Sequence, residues 1–199
     1  MKKTCIAFFA MIALTTTLQA QGFRIGIKGG GNMNKIAGQS FNNGFDFSYH
    51  LGAFAELDFT KKLGIQPELL WNESSTKPSN FQAIYGSGSL SANFNGQQQV
   101  KLDYLSIPVL LRYSILNGLL TLNAGPQYSI LLKQDKTILQ NSQAAFKSGD
   151  FAAVVGAQIN LSALRLYARY NIGLQNINDI DNKDKWTNQQ IQVGLGIRL

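Results

Sequence analysis

Asp46, Ser48 and His50 place a carboxylate, a hydroxyl and an imidazole within one short segment, and His50 is the chain's only histidine. A nucleophilic triad needs those three groups to converge on one reacting atom. Residues two apart in an extended segment stack along one face of it instead, so these three read as a polar strand rather than a catalytic site. Asp179, Asp181 and Asp184 have some of the acidic spacing of a calcium loop. They lack its glycine and its closing bidentate Glu, and Lys183 and Lys185 are interleaved, so the segment reads as a solvated loop. Gly29-Gly30-Gly31 is not followed by the Gly-Lys-Ser/Thr of a phosphate loop and opens no helix, and reads as the end of a strand. No catalytic, cofactor-binding or metal-binding residue is assigned on these grounds, and the chain is not read as an enzyme.

The charges that do call for an account are Arg24, Lys28, Glu56, Asp58, Glu68, Arg112, Arg165, Arg169 and Arg198. Each is set singly among apolar neighbours rather than clustered as a phosphate-binding patch would require, which argues against a nucleic-acid surface. What they have in common is parity. Arg24, Gly26 and Lys28 alternate with Phe23, Ile25 and Ile27; Glu56 and Asp58 alternate with Ala55, Leu57 and Phe59. Glu68 falls between Pro67 and Leu69, and Arg112 between Leu111 and Tyr113. Arg165 and Arg169 alternate with Leu164, Leu166, Ala168 and Tyr170, and Arg198 follows Ile197.

This period of two, sustained through eight segments, is the pattern of strands with one apolar and one polar face. Two more segments complete the set, one alternating Leu120, Leu122, Ala124 and Pro126 with Thr121, Asn123, Gly125 and Gln127. The other runs from Phe151 to Asn160 with a less polar second face. Most runs are about ten residues, the length a tilted strand needs to cross a bilayer's hydrocarbon layer.

The links alternate strictly in length. Thr60-Lys61-Lys62, Leu116-Asn117-Gly118 and Leu161-Ser162-Ala163 are short, whereas 31–46, 73–99, 133–149 and 175–185 are long and polar. All short turns then lie at one end and all long loops at the other, with both termini at the short-turn end, as in outer-membrane barrels with periplasmic turns and extracellular loops. The predicted fold is all-β: an eight-stranded antiparallel up-and-down transmembrane β-barrel. Its lumen is only wide enough to be filled by side chains, so the nine charges are expected to pair with one another and with Tyr104, Gln66, Gln158 and Asn171, a structural role. Outward Phe23, Phe47, Tyr49, Phe59, Trp71, Tyr113, Tyr128 and Phe151 suit interfacial girdles.

The first twenty residues stand apart. Lys2 and Lys3 precede an apolar run and a Leu18-Gln19-Ala20 end, the pattern of a signal peptide, leaving 21–199 as the barrel domain. Cys5, the only cysteine, lies in that leader, so the mature chain has no thiol for disulfides, metal or nucleophilic catalysis. The formal net charge is +7 over the whole chain. Without Lys2 and Lys3, 16 basic residues face 11 acidic ones, a mild basic balance.

The segment Tyr104-Leu105-Ser106-Ile107-Pro108-Val109-Leu110-Leu111-Arg112-Tyr113 resembles the "Y-L-x-I-P-(hydrophobic)-L-(hydrophobic)-K/R-Y" strand of the PorT-like outer-membrane β-barrel family of Bacteroidota. Gly26 to Asn32, Gly64 to Leu70, Gly125-Pro126-Gln127-Tyr128 and Arg165 to Tyr170 resemble further pieces of it in order, so the likeness spans the mature chain. It implies a bacterial outer-membrane barrel whose founding relative is associated with protein secretion and gliding, and it supplies no catalytic residues or cofactors. The expected function is non-enzymatic: envelope structure, surface adhesion or assembly of a larger complex. The partners would be outer-membrane lipid and an envelope or extracellular protein met through loops 31–46, 73–99, 133–149 and 175–185. A narrow ion or solute channel and a soluble lipocalin-like ligand-binding barrel are the alternatives.

Overall fold

The computed structural model describes residues 22–37, 46–76, 100–134, 149–176 and 187–199. The leader, Asp179, Asp181 and Asp184, and most of each long link lie outside them. Eight strands follow in chain order: β1 (Phe23–Ala37), β2 (Asp46–Asp58), β3 (Leu63–Thr76), β4 (Val100–Ile115), β5 (Leu120–Gln134), β6 (Gly149–Leu161), β7 (Leu164–Gly173) and β8 (Thr187–Arg198). Each pairs antiparallel with the next, and β1 also pairs with β8 from Gly26↔Arg198 to Ala37↔Thr187, so the sheet closes on itself without an edge.

Parity decides which way each side chain points. On the outside stand Ile25, Ile27, Leu51, Leu69, Val109, Leu111, Val193, Leu195 and Ile197, all exposed. On the inside Glu56, Asn32, Asn34, Gln66 and Gln192 are almost fully buried. A soluble protein hides its apolar residues; this one hides its polar residues and presents an apolar belt, the distribution required of a barrel standing in hydrocarbon. Tyr49 and Trp71 meet edge to face at 5.2 Å on the long-loop side of that belt. Phe59 and Tyr113 stand exposed at the short-turn side.

The short turns are built locally. Thr60 Oγ1 accepts the backbone N–H groups of Lys62 (3.2 Å) and Leu63 (2.9 Å), closing the β2–β3 link. Leu116 and Asn117 adopt φ of 51° and 56° in a tight 3-10 turn before Gly118. Ser162, φ 54°, begins a two-residue hairpin between Leu161 and Leu164, whose residues pair directly.

Strands run further toward the long-loop end than the alternation of apolar residues indicated. The glycine triplet does not end β1, which continues to Ala37, and β3 continues to Thr76. A Cβ on Gly30 would collide with Val193 O and Gly194 Cα of β8, so glycine there serves close strand approach rather than chain termination. The lumen is also less uniformly polar than expected: Phe54, Leu70, Leu102, Tyr104, Leu110 and Val154 are buried inside it.

Candidate functional site

The lumen is organised in three tiers. At the short-turn end, Arg24 and Glu56 are register partners on β1 and β2, and Arg24 Nε donates to Glu56 Oε2 at 2.9 Å. Arg165 Nε reaches the other oxygen, Oε1, at 3.0 Å, and Arg112 Nη2 lies 3.3 Å from it. Asp58 accepts from Arg112 Nη1 at 2.6 Å and also from Arg24. The Arg112–Asp58 bond crosses an intervening strand. Asp58, Gly64 and Arg112 share one register row on β2, β3 and β4, and a Cβ at Gly64 would stand 2.6 Å from Asp58 Oδ1. Glycine at that position opens the row for the arginine. Arg165 is further anchored by Nη1 to the Ser162 carbonyl at 2.7 Å.

In the middle tier Glu68 receives Lys28 Nζ at 2.9 Å, Arg169 Nη1 at 2.7 Å and Gln66 Nε2 at 2.7 Å. Glu68 is on β3 and Arg169 on β7, opposite walls of an eight-stranded ring, so this bond spans the lumen. Lys28 Nζ also lies 3.8 Å above the Tyr167 ring, and Arg169 Nε donates to Gln192 Oε1 at 2.5 Å. All the charges of this tier are buried, and each carboxylate oxygen has a cationic partner, as burial demands.

The tier toward the long loops contains no ion pair across the lumen among the described residues. Asn72 Oδ1 accepts from Asn32 Nδ2 at 2.7 Å and Gln190 Nε2 at 3.2 Å, while Asn72 Nδ2 donates to Gln190 Oε1 at 3.1 Å. Gln192 and Asn171 also donate to Gln190 Oε1, at 2.6 and 3.1 Å, and Asn34 contacts both Gln190 and Ser48.

His50 belongs to this tier. Asn32 donates through Nδ2 to Asn72 and to the Glu73 carbonyl (3.1 Å), which fixes its Oδ1 as the acceptor facing His50 Nδ1 at 2.5 Å. Nδ1 therefore donates, and Nε2 is left to accept from the Tyr167 hydroxyl at 2.6 Å. Ser48 Oγ donates to the Glu73 carbonyl at 2.5 Å rather than facing the imidazole. The three triad-type groups do not converge. No group of metal-ligating side chains occurs among the described residues.

Of the nine charges singled out by parity, eight stand in the two lower tiers: Arg24, Glu56, Asp58, Arg112 and Arg165 together, and Lys28, Glu68 and Arg169 together. Arg198 is not brought into either; it lines the short-turn mouth and pairs with no carboxylate among the described residues. Gln158 donates to Glu56 at a long 3.5 Å, Gln66 joins Glu68, and Asn171 joins the amides. Tyr104 departs from the expected pairing. Its buried hydroxyl has no hydrogen-bond partner among the described residues. The amide tier was not singled out from sequence, although inward Asn32 and Asn34, and Gln190 and Gln192, repeat at the same spacing of two.

An edgeless barrel with an apolar outer belt and a bonded polar lumen defines an integral membrane β-barrel. Residues 19–179 match the family described as Outer membrane protein beta-barrel domain, and the chain belongs to that family, a bacterial outer-membrane protein. Among solved structures it is similar to Ail, the attachment invasion locus protein of Yersinia pestis, in complex with the heparin analogue sucrose octasulfate. That likeness has a TM-score of 0.51 at 12% identity and covers 89% of this chain and 99% of that one. It is likewise similar to the outer membrane protein OprG from Pseudomonas aeruginosa, with a TM-score of 0.50 at 15% identity, covering 89% and 96%. At these identities the likeness is one of fold. No curated protein matches the chain.

Proposed function

We propose that the protein is a sealed, non-enzymatic outer-membrane anchor that presents its long loops at the cell surface for adhesion or for assembly with an envelope partner. The observation that carries this reading is that the strand ends bounding all four long connections lie at one end of a barrel whose lumen is packed with bonded side chains. The two charged tiers and the amide tier link β1–β4 and β6–β8 across the bore and fill it, a structural role that disfavours the channel alternative. The short turns and both termini face the periplasm in this reading, after removal of residues 1–20. The segments that resemble the PorT-like group of Bacteroidota support placing the chain there, with a secretion or assembly accessory as the more specific role. Ail is named for attachment, and the same class of role suits long polar links joined to one end of a filled barrel.

Orientation is tested by labelling. With Cys5 removed with the leader, Ser87→Cys in the longest loop and Asn117→Cys in a short turn are each the sole thiol. An impermeant maleimide applied to intact cells should label the first and not the second; the reverse pattern overturns the orientation. Deleting 77–99 should abolish attachment of cells carrying the protein while leaving a barrel that migrates differently in detergent before and after boiling. Discrete conductance of the wild-type protein in planar bilayers would overturn the sealed reading.

A further inference from the structure

The short-turn mouth opens into a cavity of about 480 Å³ whose lining includes Arg24, Lys61, Arg112, Arg165 and Arg198 but only one acidic residue, Asp58. Adding Glu56 just inside gives two carboxylates against five cations. Both are already engaged: Glu56 by three arginines, Asp58 by two. Arg198 and Lys61 therefore have no carboxylate left to meet among the described residues. Arg112, with a side chain only 4% exposed, leaves its Nε buried without a hydrogen-bond partner. Ser114, Asn117 and Asn160 add neutral polar groups to the same wall. A surplus of positive charge at the rim of a low-dielectric tube concentrates anions there, and an unpaired buried guanidinium nitrogen is a standing cost that an acceptor oxygen removes.

We propose that this mouth is a binding site for a phosphate group, supplied either by an anionic phospholipid headgroup of the adjoining leaflet or by a free phosphate compound. Several guanidinium groups converging on one cavity match the geometry of phosphate oxygens, which accept from arginine two at a time. Arg198 and Lys61 act as the outer capture pair, with the Arg112 side chain behind them in the cavity wall. Arg24 and Arg165, held by Glu56, set the shape of the floor.

The test uses the full barrel refolded in an uncharged maltoside detergent at fixed pH, titrated with inorganic phosphate and with glycerol phosphate and read by calorimetry. Sodium chloride at matched ionic strength is the control. Arg198→Gln and Lys61→Gln, neither of which breaks an ion pair, should fold as the wild type does and together weaken phosphate binding about tenfold or more, the change expected for losing one or two charge-assisted hydrogen bonds. Equal response to chloride and phosphate, or undiminished binding by the double variant, overturns the site. The two sources separate in nanodiscs. If discs containing phosphatidylglycerol abolish the phosphate titration and phosphatidylcholine discs do not, the headgroup is the occupant; if both leave it intact, the occupant is a free phosphate. The site does not depend on the adhesion reading, and maleimide labelling of intact cells would fail separately from it.

Discussion

Glu56 and Asn72 are both buried in the lumen, and Glu56 gathers side chains from β1, β4 and β7 while Asn72 gathers them from β1 and β8, yet they solve the problem of a polar interior differently. Glu56 only accepts, and it needs Arg24, Arg112 and Arg165 to offset the loss of water around its charge. Asn72 donates and accepts, so it closes a neutral ring with Asn32, Gln190 and Gln192. A neutral amide cluster is complete in itself, whereas a charged cluster is complete only when its ions balance. The short-turn end is not balanced, carrying more cations than carboxylates, and among the described residues the long-loop end has no such surplus across its lumen. Among the described residues the difference leaves a net positive field at the short-turn end.

The largest effect should come from breaking the charged end. Glu56→Ala leaves three arginines around a single carboxylate and should lower the free energy of unfolding by about 3–5 kcal/mol, measured by urea titration of the refolded barrel. Glu68→Gln keeps the shape but strands Lys28 and Arg169, and is expected to cost about 3 kcal/mol on the same scale. Asn72→Leu removes a neutral partner and leaves amides short of bonds, at about 1–3 kcal/mol. If Asn72→Leu proved as damaging as Glu56→Ala, uncompensated charge would not be what distinguishes the two ends.

The architecture was legible because a strand's side chains alternate by geometry alone, so one polar face and one apolar face write themselves into the sequence. The strand ends were less so. Beyond Gly31 the outward residues of β1 are Met33 and Lys35, and the inward ones Asn32 and Asn34, types that favour loops when read singly. Only the ladders to Ser48 and Asp46 on β2 and to Gln190 and Gln192 on β8 show why they are strand. The roll of inward charges followed from parity, but their grouping did not. Arg112 meets Asp58 because the register places Gly64 between them, and register across a closed barrel depends on how every hairpin is staggered. Arg198 shows the same limit: parity puts it on the charged face, and its height leaves it at the mouth.

The smallest effect should sharpen the comparison within the charged end itself. Asp58 bonds two arginines as Glu56 bonds three, but its side chain is 27% exposed and that of Glu56 is fully buried. Water and ions that reach Asp58 already screen its partners, so Asp58→Asn should cost no more than about 1 kcal/mol. That cost should shrink further as salt is raised, because the Debye length falls to about 3 Å at molar ionic strength. Glu56→Gln, measured alongside, should keep its full cost at every salt concentration, since ions do not reach its fully buried carboxylate. A salt-insensitive and equally large cost for Asp58→Asn would mean that the mouth is dry and its cations are shut off from the periplasmic side. A salt-sensitive one locates the boundary between solvent and sealed bore between these two carboxylates, only two residues apart on β2.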